Sequence, residues 1–101
     1  MEYQRIYKIG GIRIVMSNFI SNKIKEIKID SDNYLLIVLF ANGITKVVDF
    51  KEKLKDDMYL DLKNKVLFAQ AKVDAGGYGV SWNDDIDISE YELWNIGTLK
   101  N

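Results

Sequence analysis

The chain has 101 residues, of which 48% are hydrophobic and 29% are charged, a balance that excludes a disordered chain and leaves room for one globular domain. The formal net charge is −1, so the chain lacks the basic surplus with which nucleic-acid binders usually neutralise phosphates. Cys and His are absent, which excludes disulfides, thiolate and imidazole metal ligands and the commonest catalytic bases. We therefore expect no cofactor, no metal and no enzymatic activity.

No segment resembles a signal peptide or a membrane span, because charges recur within the first fifteen residues and the longest apolar run has the length of a strand. We expect a cytoplasmic protein that binds no membrane.

The N-terminal residues predict a β-hairpin. Gly10-Gly11 lies between two β-rich runs, Gln4–Ile9 and Ile12–Ser17, and both glycines tolerate the positive φ of a tight turn. Residues 1–20 then form an extension of the domain. Alternatively Met16 is the true first residue, and the hairpin would lie outside the protein.

Residues Lys23–Asp30 predict a strand in which Ile27 and Ile29 share a face and Ile24 joins them only through a bulge. Three lysines lie here, namely Lys23, Lys25 and Lys28. They fit an edge strand whose charges deter aggregation, or a basic stripe that could bind nucleic acid beside aromatic residues.

The centre of the chain predicts a hairpin. Asp30–Asn33 is typical of a turn, and Tyr34–Ala41 is apolar enough for a central strand covered on both faces. Asn42-Gly43 is a strong hairpin turn signal, and Ile44–Asp49 is the partner strand.

A helix is predicted next. Asp49 and Glu52 have the spacing of a capping box, Phe50 and Leu54 share a face, and the helix would end near Asp56-Asp57. One further helical turn is expected at 62–66.

A second hairpin is predicted from Leu67–Asp74, a turn at Ala75–Gly77, and Tyr78–Trp82, with Gly79 at a bulge or a close approach of two backbones. An acidic loop, Asn83–Asp87, follows.

The last helix is predicted by Ser89 and Glu92, which match a capping box, and by Gly97, which suits a left-handed C-terminal cap. Residues 98–101 are expected to be a loose tail. Together these elements predict an α+β fold in one domain, residues 1–101: an antiparallel sheet of about five to seven strands with one or two short helices packed on it.

Residues 23–97 resemble the bacterial family known as Domain of Unknown Function 2442. The motifs that carry the resemblance are Leu39-Phe40 with Asn42-Gly43 and Val47–Phe50, then Leu67–Asp74, then Gly76-Gly77 with Trp82, and finally Asp87–Ser89 with Leu93-Trp94. The chain departs from many relatives at Asn83–Asp85, where those have Trp-Pro-Asn-Gly.

The resemblance implies a compact α+β domain of no established activity. Similar proteins are often encoded beside other small domains, which has suggested toxin–antitoxin pairs, and some are fused to helix-turn-helix segments that this chain lacks.

The candidate binding surface is the acidic loop with its flanking aromatic residues. It comprises Tyr78, Trp82, Asn83, Asp84, Asp85 and Asp87. Paired carboxylates can perform acid–base chemistry or hold Mg²⁺ or Ca²⁺. The alternative is a solvated turn in which Asp87 favours a helix N-terminus.

A protein-interaction or regulatory module is the function we expect, and one form that it could take is one half of a two-gene toxin–antitoxin-like pair. Aromatic residues make up 12% of the chain, and exposed ones, for which Tyr3, Tyr7 and Tyr59 are candidates, suit an interface. The partner would be another small protein, or a second copy, joined at an edge strand. Alternatives are a weak ligand- or nucleic-acid-binding domain and, third, a carboxylate-based enzyme or metal binder.

Overall fold

The computed structural model describes residues 22–100 and the two strands β1 (Ile6–Ile9) and β2 (Ile12–Val15). These two strands pair antiparallel, with Ile6 opposite Val15 and Ile9 opposite Ile12, which confirms the N-terminal hairpin. The Gly10-Gly11 turn lies outside the described residues.

Seven further strands and two short α-helices follow. The strands are β3 (Ile24–Asp30), β4 (Leu35–Phe40), β5 (Thr45–Asp49), β6 (Lys72–Val73), β7 (Gly79–Ser81), β8 (Asp87–Ser89) and β9 (Thr98–Leu99), and the helices are α1 (Lys65–Phe68) and α2 (Glu90–Ile96). Short 3₁₀ segments lie at Lys53–Lys55, Asp57–Lys63 and Ala75–Gly77. The α+β class with antiparallel sheets is confirmed.

The larger sheet has four strands in the order β3-β4-β5-β9, all antiparallel neighbours. β3 is an edge strand, and its register with β4 shifts between Ile24 and Glu26. This shift is the predicted bulge. It returns Ile27 and Ile29 to the face that carries Ile24, because one extra residue reverses the alternation of side chains.

The central strand β4 is buried on one face only. Leu36, Val38 and Phe40 are fully buried, whereas Leu35 and its alternate neighbours on the opposite face are half-buried. The prediction of a central strand is confirmed, and the prediction that both of its faces are covered is wrong. No described element packs over the second face densely enough to bury it.

The Asn42-Gly43 turn connects β4 to β5 as predicted. Phe40 N–H donates to the Ile44 carbonyl at 2.9 Å, and Gly43 has a φ of 86°. A glycine suits this position, because positive φ costs a side-chain-bearing residue about 1–2 kcal/mol.

The smaller sheet has three strands in the order β6-β7-β8. A Cβ added to Gly79 would lie 2.6 Å from the Ile88 carbonyl oxygen, so the glycine allows the close approach that the sequence predicted. Asp87–Ser89 was predicted as a loop end and helix cap, and it forms a strand because β7 supplies its backbone partners.

The predicted helix after Asp49 is absent from the described chain. Asp49 ends β5, and its carboxylate accepts a hydrogen bond from the Lys51 N–H at 2.9 Å. Only 3₁₀ turns follow, although Phe50 and Leu54 are both buried on one side as expected. The Asp49 carboxylate instead holds the turn at Lys51, and the Glu52 carboxylate pairs with Lys55, so the predicted capping box does not form.

The predicted strand Leu67–Asp74 is also largely wrong. Asn64 accepts hydrogen bonds from the N–H groups of Val66 and Leu67, which starts α1 and places Phe68 in the core. Only Lys72–Val73 pairs as a strand. A side-chain cap outweighed the alternating pattern, because it satisfies N–H groups at the start of a helix.

An aromatic cluster forms the centre of the core. Phe50 makes edge-to-face contacts with Tyr59, Phe68 and Trp82, at centroid distances of 6.1, 5.6 and 5.4 Å. Tyr59 is only 4% exposed, so the prediction that it lies on the surface is wrong. Tyr3 and Tyr7 lie outside the described side chains.

The C-terminal residues close the larger sheet. Ser89 caps α2 by accepting the Glu92 N–H at 3.1 Å, as predicted. Gly97 follows α2 with an extended φ of −73° rather than a left-handed one, and an added Cβ would meet Leu93 and Lys46 at 2.9 Å. Thr98–Leu99 was expected to be a tail, and instead pairs with β5 as the fourth strand.

Among the helices of the described residues, none is both long and apolar enough to cross a membrane.

Candidate functional site

The acidic loop opens onto a surface groove of about 560 Å³. The predicted residues Trp82, Asn83, Asp84 and Asp87 contribute to its lining. The smaller sheet adds residues that the sequence did not single out, which are Lys72, Val73, Asp74, Ala75 and Ser81.

Most polar groups of this groove already have structural partners. Asp74 accepts a hydrogen bond from the Ser81 hydroxyl at 2.7 Å, and the Asn83 side chain accepts from the N–H groups of Asp85 and Ile86 at 2.9 Å each. Asn83 therefore holds the loop as a compact turn. This agrees with the alternative interpretation of Asn83–Asp87, in which the loop is a solvated turn.

The two aromatic residues of the candidate binding surface, Trp82 and Tyr78, have different roles. Trp82 is 5% exposed, and its indole N–H donates to the Phe68 carbonyl at 3.0 Å. Tyr78 is 48% exposed, lies outside the groove, and carries the Lys23 ammonium 5.1 Å from its ring centroid. Asp85 does not line the groove either. The six predicted residues thus do not converge on one point.

Within the described residues, no group of three or more acidic side chains is arranged to hold a metal ion. The groove offers Lys72 and the exposed carboxylates of Asp84 and Asp87 to a polar ligand.

A second candidate site is the open edge of β3. The Phe40 N–H donates to the Ile44 carbonyl, on the β5 side of β4. The N–H of the next residue, Ala41, donates to the Lys23 carbonyl at 2.7 Å, on the β3 side. The N–H and C=O groups of successive residues point to opposite sides of a strand. The backbone groups of Leu35, Ile37 and Leu39 therefore also point toward β3.

The partners of those three residues on β3 are Asp30, Lys28 and Glu26. It follows that the backbone N–H and C=O groups of Ile27 and Ile29 point away from β4. Within the described chain, β3 pairs with β4 alone. No described strand therefore pairs with the outward backbone groups of Ile27 and Ile29.

The start of this edge is closed. Gly77 packs against β3 so tightly that an added Cβ would lie 2.4 Å from the Ile24 carbonyl oxygen and 2.9 Å from its nitrogen. The Ala75–Gly77 turn thus covers β3 at Ile24. β6 of the smaller sheet also lies within 8 Å of β3, Cα to Cα. Beyond the bulge, Ile27 and Ile29 are the β3 residues whose outward backbone groups no described strand pairs.

The open edge adjoins the outer face of the larger sheet, which we define as the side of β4 opposite the core. The register groups an apolar strip on this face, comprising Leu35, Ile37, Leu39 and Val47, all half-buried. A small cavity of about 130 Å³ indents the face between Ile37 and Leu39. Charged side chains line it from both edges of the sheet, namely Glu26 and Lys28 on β3 and Lys100 after β9.

Charge on β3 alternates in sign along the outer face, where Glu26, Lys28 and Asp30 follow one another at every second position. The side-chain amide of Asn33 donates to Asp30 at 2.9 Å, and this hydrogen bond lowers the pKa of the Asp30 carboxyl below its ordinary value. Asp30 is therefore ionised at neutral pH.

The sequence indicated the edge position of β3 but not the open outer face. The signal was present: polar or charged residues Glu26, Lys28, Thr45 and Asp49 occupy this face on both flanking strands, which is typical of a face reached by water.

A family model described as "Protein of unknown function (DUF2442)" matches residues 24–98. This match spans β3 to β9 and begins after the N-terminal hairpin. Comparison with curated proteins finds no match, and comparison with solved structures finds none either. Because the family model covers most of the chain, the protein belongs to the DUF2442 family, whose function is unknown.

Proposed function

We propose that this protein is an interaction module that takes up an extended segment of another polypeptide at the open edge of β3. The observation that carries the proposal is that, among the described strands, none pairs with the outward backbone groups of Ile27 and Ile29 on the edge strand β3. Such an edge is a template for strand addition, in which main-chain hydrogen bonds supply affinity.

The outer face supplies a basis for selectivity. An added strand extends the sheet beside β3, and its outward side chains lie next to Glu26, Lys28 and Asp30. Larger side chains can reach the apolar strip near Ile37 and Leu39. A partner segment that alternates charged and apolar residues fits this surface best.

We further propose that the physiological partner is the product of an adjacent gene, as in a two-gene module of the toxin–antitoxin kind. The support is the family membership together with the gene arrangement that the family resemblance implies. Binding, rather than carboxylate catalysis, is favoured because Asp85 lies outside the groove that Asp84 and Asp87 line, so the three predicted carboxylates do not converge.

The test compares Ile29→Pro with Ile29→Ala in co-expression with the neighbouring gene product. Both variants lose the half-buried side chain, but only proline removes the N–H that points to the open edge. Proline is tolerated on edge strands. We expect the alanine variant to retain the partner through purification and the proline variant to lose at least about 90% of it, consistent with losing about 1.4 kcal/mol or more of binding.

Equal recovery of the partner with both variants, when circular dichroism shows both to be folded, contradicts strand addition at this edge. A partner that binds the proline variant as well as the wild type would have to contact another surface.

A further inference from the structure

We propose that β3 pairs with β3 of a second copy of this chain, antiparallel and about a two-fold axis that passes beside Ile29. The inference rests on the proposed function, because it uses the same open edge and names the strand that occupies it. A two-fold axis requires the edge to be complementary to itself, and the charge pattern of β3 meets this requirement.

An axis at Ile29 places Lys28 of each copy opposite Asp30 of the other. Two ion pairs, each between a Lys28 ammonium and an Asp30 carboxylate, therefore form across the interface. Neither residue directs its backbone to the edge, so each pair is of the non-hydrogen-bonded kind, in which side chains lie closest, with Cα atoms about 4.5 Å apart. Ile29 lies opposite its own copy and exchanges two backbone hydrogen bonds with it.

Other registers are less favourable. An axis at Lys28 places two Lys28 ammonium groups opposite each other and Glu26 opposite Asp30, so that each of these charged pairs repels. An axis at Ile27 pairs Glu26 with Lys28, but it brings the partner's Asp30 to Ile24. The Ala75–Gly77 turn already occupies that part of the edge.

The axis at Ile29 also aligns the outer faces. Because it runs perpendicular to the sheet, the apolar strips of both copies lie on the same side of one continuous sheet. The two strips flank the charged outer faces of the paired β3 strands, so a polypeptide that covers both strips must also cross Glu26, Lys28 and Asp30 of each copy.

Sedimentation equilibrium of the purified chain tests the pairing. We expect the wild type to dimerise and Lys28→Glu, which faces Asp30 twice with like charge, to weaken the dimer at least about tenfold. Asp30→Lys should weaken it similarly. The double variant K28E/D30K restores both ion pairs with reversed polarity and should recover most of the wild-type dimer.

The matched control is Lys55→Glu, which makes the same charge change on an exposed residue of the 3₁₀ segment Lys53–Lys55 and should leave the dimer unchanged. Circular dichroism of each variant establishes that it is folded, which matters for Asp30→Lys because Asp30 accepts hydrogen bonds from Asn33.

A wild-type chain that is monomeric up to about 200 µM, a concentration at which even weak complexes of about −5 kcal/mol form, overturns the self-pairing. So does a double variant that stays as monomeric as the single ones. If a monomeric chain still captures its partner in a manner that Ile29→Pro abolishes, the proposed function stands and only the second copy is excluded. A dimer that Ile29→Pro leaves intact excludes self-pairing at the β3 edge, and partner recovery with the same variant then decides the proposed function separately.

Discussion

The Tyr59 phenol lies in the core and donates a hydrogen bond to the Asp87 carbonyl at 3.2 Å. Burial raises the pKa of this phenol above its ordinary value of 10.0, and the nearby carboxylates of Glu92, Asp87 and Asp56 raise it further. The Lys53 ammonium lies 5.2 Å from the same ring and forms an ion pair with Glu92. One side chain thus joins the 3₁₀ segments to the smaller sheet.

Tyr59 makes the stability of the fold fall at alkaline pH. Its pKa is higher in the folded state, so the folded chain keeps the phenolic proton at pH values where the unfolded chain has lost it. This contribution is complete below the unfolded pKa near 10 and is lost as pH rises toward the folded value.

We predict that Tyr59→Phe lowers the free energy of unfolding by about 1 kcal/mol at pH 7, because one hydrogen bond is lost. Between pH 9 and pH 11, roughly the range around the ordinary phenol pKa, the variant should lose less stability than the wild type. Urea unfolding at each pH measures both. Parallel pH curves for the two proteins would show that Tyr59 does not titrate differently on folding.

Among the elements, the Ala75–Gly77 turn decides how much of β3 is accessible. Gly77 has a φ of 78°, and its Cα lies against the backbone of Ile24. The turn thereby joins the smaller sheet to the edge of the larger one. It also prevents strand addition at the start of β3, which limits any added strand to the segment beyond the bulge.

We predict that Gly77→Ala destabilises the fold by more than about 2 kcal/mol, because left-handed strain of about 1–2 kcal/mol adds to a clash with the backbone of Ile24. Gly43→Ala is the matched control. Its φ of 86° is similarly positive, but no atom lies within 4 Å of the added Cβ, so it should cost only the strain. Urea denaturation compares the two.

Equal losses at Gly43 and Gly77 would show that the turn does not press on β3. The described part of β3 would then be open to strand addition from Ile24 onward, and the register with an axis at Ile27 would become available.

At the scale of the whole molecule, both sheets and the 3₁₀ segments share one aromatic core. Phe50 follows β5 in the larger sheet, Trp82 follows β7 in the smaller one, and Phe68 ends α1 between them. A core shared in this way predicts that the two sheets unfold together rather than separately.

We predict that Phe50→Ala lowers the free energy of unfolding by about 3–5 kcal/mol, the range for a buried phenylalanine. Fluorescence of the two tryptophans, Trp82 and Trp94, and far-ultraviolet circular dichroism should report the same midpoint in wild type and variant. Val66→Ala, at a residue 71% exposed, serves as the control and should change stability by less than about 0.5 kcal/mol. Separate midpoints for the two probes would show that the sheets are independent units.

Local chemistry allowed several elements to be predicted from the sequence. The Asn42-Gly43 turn, the bulge that Ile24 requires and the Ser89 cap each depend on residues close together in the chain. The N-terminal hairpin, the antiparallel α+β class and the family also follow from short motifs in order.

Two of the errors arose because a pattern was interpreted without the residues that cap or pair it. At Asp49 the carboxylate accepts the Lys51 N–H and 3₁₀ turns follow, so the capping-box spacing starts no helix. At Leu67–Asp74 the cap on Asn64, which precedes the alternating segment, starts α1 and places Phe68 in the common core.

The candidate site likewise combines features that the sequence predicted with features that depend on the tertiary structure. The sequence alone determined that β3 would be a charged edge strand and that Asn83–Asp87 would include a turn. Only the tertiary structure decided that Trp82 belongs to the core, that Gly77 closes the edge at Ile24, and that Ile27 and Ile29 remain open beside a half-buried face. These features depend on which segments meet in space, and a linear pattern of residues specifies burial and alternation without specifying the neighbour that covers each edge.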